Sequence, residues 1–170
     1  MKKIFALLSV LLFTNCTDKP PQKEVAIQQK AQLIHLKTTT LDTHNDIDVK
    51  NFTDSLNYSQ NTDTQVNLPK MQAGALDVAW FIVYTKQGDL TSEGYKKAAN
   101  NAQSKFDAIR RLTEIYAPTK IGLATTSIEV DSLRKMSKKV AMIGVENAYP
   151  IGLDTASVKR YYDMGARYMS

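Results

Sequence analysis

Hydrophobic and polar residues follow two regimes along the chain: short runs that are apolar at almost every position, and longer stretches where apolar residues return every three or four. Residues 75–84, Ala-Leu-Asp-Val-Ala-Trp-Phe-Ile-Val-Tyr, and residues 140–145 are of the first kind, the pattern of a strand covered on both faces. Trp80 is expected in the core. Residues 92–117 are of the second kind, with Tyr95, Ala98, Ala99, Ala102, Phe106, Ile109, Leu112 and Tyr116 at helical spacing, Thr91 or Ser92 as cap and Pro118 as stop. The opposite face, with Lys105, Arg110 and Arg111, reads as solvated. A modestly amphipathic helix is expected over 25–36, a strand over 39–43 and a short extended piece over 121–125. A helix opened by Ser127 follows over 127–139, with Glu129 in its first turn. Asp154 is expected to cap a helix running through Met164, closed by Gly165, and Arg167 begins another strand. Residues 49–70, rich in Asn, Thr, Asp and Ser, have no period and read as one long loop.

Buried strands alternating with helices imply an α/β parallel sheet or barrel, in which reactive groups sit at the carboxyl ends of strands. Three residues are expected at such ends. His44 and Asp46 are two apart, so an extended backbone points both to one face, where an imidazole and a carboxylate can hold a divalent metal ion. Short polar triplets of this kind also cap helices and fill turns. Glu146 closes an otherwise apolar strand and could serve as a third ligand, a helix cap or an ion-pair partner. His35, near the end of the first helix, is expected to face solvent or a helix terminus.

The amino-terminal residues change the picture of where the chain goes. Met1, Lys2 and Lys3 precede an apolar stretch at 4–13 that is too short for a permanent span, so 1–15 reads as a secretion signal. Cys16, the only cysteine, stands where bacterial lipoproteins are cleaved and acylated; ordinary signal cleavage is the alternative. Residues 16–24, with Pro20 and Pro21, then form a lipidated tether, and 25–170 the folded part. This places the protein in a bacterial cell envelope, anchored to the membrane and facing the periplasm or exterior. The formal charge of +5 comes from scattered lysines with no Gly-rich loop or clustered aromatics, which disfavours nucleic acid as a partner.

Four segments resemble the membrane dipeptidase family, the renal dipeptidase-like peptidases of family M19. They are Leu41-Asp42-Thr43-His44-Asn45-Asp46, Gln65-Val66-Asn67-Leu68-Pro69, the run from Ile143 to Gly152 that contains Val145-Glu146-Asn147, and the run from Tyr162 to Met169. They occur in family order. The resemblance implies a (β/α)8 TIM-barrel metallohydrolase that cleaves dipeptides at a two-zinc centre, with Mn or Co as other candidate ions. It implies that His44 and Asp46 bind one zinc and that Glu146 bridges both, a catalytic as well as a metal-binding role. Renal-type members have Gly where this chain has Asn147, a difference expected to bear on substrate preference. A further His that contacts substrate, two His ligands and a catalytic Asp are expected after the strand begun at Arg167. A complete barrel takes at least about 200 residues, so these 170 are expected to supply its first half and, alone, to be inactive. A homodimer is compatible with the sequence. The competing expectations are a non-catalytic periplasmic or surface lipoprotein acting as a binding module, and a related metal hydrolase of different substrate class, against which Asp46 in the second ligand position speaks.

Overall fold

The computed structural model describes residues 22–170, so the expected signal, Cys16 and most of the tether lie outside the described residues. The chain divides into two units, Met1–Ile34 and His35–Ser170. Helix α1 (Gln22–Lys37) starts earlier than its apolar spacing implies, because Gln, Lys, Glu and Ala are good helix formers and Glu24 and Lys37 suit the two ends of the helix dipole. It buries none of its residues, and His35 is exposed on its last turn. Among the described residues no helix is long and apolar enough to cross a membrane.

The second unit is built on five parallel strands: β1 (Leu41–Asp46), β2 (Val78–Tyr84), β3 (Ile121–Leu123), β4 (Lys139–Glu146) and β5 (Ala166–Met169). β2 lies between β1 and β4. On the far edge of β4, β3 pairs with Lys139–Ala141, and β5 pairs further along with Ile143–Val145. Helices α3 (Ser92–Arg111), α4 (Ser127–Lys135) and α5 (Ala156–Asp163) connect the strands, as parallel pairing requires. Together these features are the first part of a TIM-barrel-like α/β fold.

The two faces of the sheet differ. Ala79, Phe81 and Val83 of β2 and Ala141, Ile143 and Val145 of β4 join Ala102, Phe106, Ile109 and Leu112 in the main core. Phe106 stacks on Tyr161 of α5 with ring centroids 5.4 Å apart. The alternate positions, Val78, Trp80, Val140 and Met142, line the other face, where Trp80 and Met142 are half-buried. Trp80 therefore belongs to a second, smaller apolar cluster rather than to the main core, and lies against Tyr168, centroids 5.1 Å apart.

Residues 49–70 are more structured than their composition implies. A 3-10 turn (Val49–Asn51) and helix α2 (Leu68–Ala73) bracket the segment. Phe52 and Tyr58 are buried with ring centroids 4.5 Å apart, and Tyr58 meets Phe81 at 6.0 Å. Buried Asn67 caps α2 by accepting from the Lys70 amide, and its Nδ2 donates to the Thr62 carbonyl. The order thus comes from side-chain-to-backbone bonds that leave no hydrophobic period.

The face of α3 read as solvated is mostly engaged. Lys105 is only 9% exposed. Arg110 donates to the Met164 carbonyl at 3.0 Å and Arg111 to the Phe52 carbonyl at 3.4 Å. Beyond Arg111 the helix widens into a π-type turn (Leu112–Tyr116). The cap of α4 is Thr126 rather than Ser127: its hydroxyl accepts from the Glu129 amide while the Glu129 carboxylate accepts from the Thr126 amide, a reciprocal box. The Thr125 amide and hydroxyl, which also donate to the Glu129 carboxylate, and then the Thr126 bonds hold that carboxyl below its ordinary value. The folded-state value is depressed, so this contribution is complete above the ordinary carboxylate range and is lost as pH falls through the lowered one.

Burial orders the expected cost of truncation. Ile109→Ala, at a fully buried position, is expected to lower the unfolding free energy in urea by about 2–5 kcal/mol, whereas Ile128→Ala, at a position 76% exposed, should stay within about 0.5 kcal/mol.

Candidate metal centre

The parallel register fixes which side chains share the carboxyl rim. Tyr84 of β2 is opposite Glu146 of β4, and Asp46 of β1 is opposite Ile82 of β2. β1 and β4 are two strands apart, roughly 9.5 Å, a span that imidazole and carboxylate side chains close when both lean inward. His44 Nε2 lies 3.1 Å from Glu146 Oε2 and 3.8 Å from Asp46 Oδ1. One ligand atom from each of the three residues falls within 4.8 Å of the others.

β1 reaches this geometry through an irregularity that plain alternation does not foresee. Between Asp42 and Asn45 its register with β2 shifts, with Asp42 opposite Ala79 and Asn45 opposite Phe81. This bulge is bonded at both ends: the Asp42 carboxylate accepts from the His44 amide at 3.0 Å, and buried Asn45 donates through Nδ2 to the Trp80 carbonyl at 3.2 Å. Such bulges re-aim side chains at active-site rims.

Tyr168, which the sequence reading passed over, braces the same region. It is opposite Gly144, and a Cβ on residue 144 would come within 2.2 Å of its ring. The missing side chain lets the ring cross β4 towards Trp80, and the hydroxyl donates to the Thr43 carbonyl at 3.0 Å, one residue before His44. Burial, reinforced by the negative charges of Glu146 and Asp46, pushes the phenol pKa up, so it remains a donor at neutral pH. A glycine on an inward strand position opposite a tyrosine is the one sequence signal that could have revealed the brace.

Asn147 follows Glu146 with φ of 70°, in the left-handed region. Asn is among the few residues that adopt it readily. Its side chain ties the turn on both sides, accepting from the Tyr149 amide at 3.0 Å and donating to the Thr85 carbonyl at 2.9 Å. The position thus carries a backbone requirement that both Gly and Asn meet.

The family model for membrane dipeptidase, peptidase family M19, matches residues 28–170. The chain belongs to the membrane dipeptidase family. Dipeptidase 3 of Mus musculus is 24% identical over 136 residues, covering 76% of this chain and 26% of that protein. The probable dipeptidase PvdM from Pseudomonas aeruginosa shares the fold with a TM-score of 0.76 at 18% identity, covering 85% of this chain and 37% of its own. A metallo peptidase from Rhodobacter sphaeroides, liganded with a phosphinate mimic of L-Ala-D-Ala, aligns with a TM-score of 0.63 at 17% identity, covering 76% and 44%. The chain therefore spans about a quarter of the mouse protein and less than half of either structure. Membership places the three strand-end residues in a family whose solved relatives include a metallo peptidase.

The donor set fits a divalent ion. Tetrahedral zinc with ligand bonds of about 2.0–2.1 Å sets its donor atoms roughly 3.3 Å apart, and the 3.1 and 3.8 Å separations bracket that figure. The three side chains are also solvent-accessible, with 48% of His44, 68% of Asp46 and 38% of Glu146 exposed, so an ion can enter. Gly144→Ala is expected to displace Tyr168, release the Thr43 carbonyl and weaken zinc binding at least several-fold by calorimetric titration. Unchanged affinity would show that the brace does not hold the ligands.

Proposed function

We propose that this chain carries the first-strand ligands and the bridging ligand of a zinc dipeptidase centre. The observation that supports the reading most is the convergence of His44, Asp46 and Glu146 at the rim, in the positions the family resemblance gives to its ligands. His44 offers Nε2 and Asp46 a carboxylate oxygen. Glu146 directs one oxygen to His44, and its other oxygen, without a hydrogen-bond partner among the described residues, would be available to a second ion. Zinc held by these residues would supply a Lewis acid able to lower the pKa of water and to polarise a peptide carbonyl. The protein's own part is to hold the donors: the Asp42–His44 contact and the Tyr168–Thr43 bond orient β1, and Asn147 fixes the turn after Glu146. The substrate is a dipeptide. Mn and Co are the alternative ions, since mixed nitrogen and oxygen donors accept both. The 170-residue chain by itself is expected to bind metal without hydrolysing dipeptides, a reading supported by its short coverage of the solved relatives. We also propose, from the sequence alone, that Cys16 carries a lipid anchor and that the protein faces the periplasm or exterior of a bacterial envelope.

Zinc titrated into metal-free chain is expected to bind, with His44→Ala and Asp46→Ala each weakening binding at least 10-fold. Equal affinity in wild type and His44→Ala would favour a binding module without a metal centre. Cys16→Ser is expected to abolish incorporation of a fatty-acid label in bacterial cells; retained label would refute the anchor.

A further inference from the structure

We infer that the cavity beside Lys105 is a carboxylate subsite of this centre, taking the acidic side chain of a peptide. The inference rests on the dipeptidase reading for the identity of the ligand, and on the following geometry for the existence of the subsite.

Lys105 lies on the buried face of α3: Ala98, Ala102, Lys105 and Ile109 follow one another at helical spacing, and all four are buried. A lysine in that stripe normally runs its stem along apolar surface and ends in open water. Here the ammonium ends 5.6 Å from the centroid of the Tyr84 ring. It makes no hydrogen bond or ion pair with a described residue, although other lysines, such as Lys139 and Lys159, do. Buried side-chain nitrogens and oxygens among the described residues that are wholly shut off from solvent all have partners. The Lys105 ammonium therefore keeps some exposure, and the residue lines a cavity of about 490 Å³. That volume is in the range of small-molecule sites.

The cavity has the charge and the place for a carboxylate. Its charged lining is Lys86, Lys97 and Lys105 against Asp89 and Glu93; Lys97 and Glu93 pair with each other at 3.9 Å, which leaves Lys86 and Lys105 against Asp89. Asn101, also in the wall, spends its amide on the Tyr84 carbonyl and the Thr85 hydroxyl, which stiffens the strand end without competing for an anion. Tyr84 and Thr85 connect the cavity to the metal residues. Tyr84 is the register partner of Glu146, and the Thr85 amide donates to the Glu146 carbonyl at 3.3 Å. Burial lowers the Lys105 pKa, while Asp46, Asp48 and Glu146 act the other way and favour the charged form. A bound carboxylate adds the close partner that the ammonium lacks.

The test is an amide-shift titration of the isotopically labelled chain with Ala-Glu, Ala-Gln and glutarate, in zinc-loaded and metal-free forms. Ala-Glu is expected to shift the amides of Thr85 and Asn101 saturably, with Ala-Gln at least 10-fold weaker. Lys105→Gln and Lys105→Met should both remove the preference, the latter keeping the packed stem so that loss of fold is excluded by an unchanged melting curve. Equal binding of Ala-Glu and Ala-Gln, or a preference that survives both variants, overturns the subsite. Glutarate binding as tightly as Ala-Glu in both forms would overturn the assignment to peptide substrate and leave an anion site. Failure of the chain to bind zinc would refute the dipeptidase reading, while the metal-free titration would still report on the cavity.

Discussion

A strand held between parallel partners cannot slide, because a shift of one residue would exchange its two faces. β4 is held in this way, with Val78 to Tyr84 matched to Val140 to Glu146 on one edge and β3 and β5 sharing the other. Its odd-numbered residues from Ala141 to Val145 are buried in the main core. Glu146 is therefore presented at the rim by the burial of residues that have no chemistry of their own. The position of the candidate metal centre depends on that lock. β1, at the edge of the sheet, is paired on one side only, and its aim is set by local bonds: the bulge at Asp42–Asn45, the Asn45 amide on Trp80 and the Tyr168 hydroxyl on Thr43.

Electrostatics at the rim follow from the same arrangement. Asp46 and Glu146 bring negative charge close to one imidazole, and an ion bound there would offset their repulsion. Their charge also raises the Tyr168 pKa and partly offsets the effect of burial on Lys105. A candidate metal ligand, a brace and a buried cation are thereby linked through space, although they stand on β4, β5 and α3. The loop after β1 contributes a second wall, since Asp48, Tyr58 and Thr64 line a cavity of about 680 Å³ together with His44 and Asp46.

Much of this was legible in the sequence. Apolar runs at 75–84 and 140–145 announced β2 and β4 because strands buried on both sides are nearly free of polar residues; Asp77 proves to lie just before β2, and the polar residue that ended β4 was Glu146. His44 and Asp46 were picked out by two-residue spacing on an extended backbone, but the bulge between Asp42 and Asn45 that aims His44 was not visible in that spacing. Three features were hidden, each for a physical reason. Lys105 sits on the apolar stripe of α3, but its charge outweighed its spacing; the interval from Ala98 and Ala102 was the available signal. Trp80 was assigned to the core from its place in an apolar run, whereas it stands opposite Met142 on the other face of the sheet, half-buried in a smaller cluster with Val130 and Leu133 of α4. The ordering of residues 49–70 depends in part on Asn57, Asn67 and Thr64, whose bonds to backbone carbonyls leave no hydrophobic period to detect.

The central claim is that three strand-end side chains converge to hold one divalent ion. Anomalous diffraction at the zinc absorption edge, from crystals of the chain grown with zinc, tests it most directly. The account predicts a peak bonded to His44 Nε2 and to carboxylate oxygens of Asp46 and Glu146, at about 2.0–2.2 Å from each. A well-ordered rim with no peak there, His44 remaining in direct contact with Glu146, would contradict it and reduce the cluster to an ion pair.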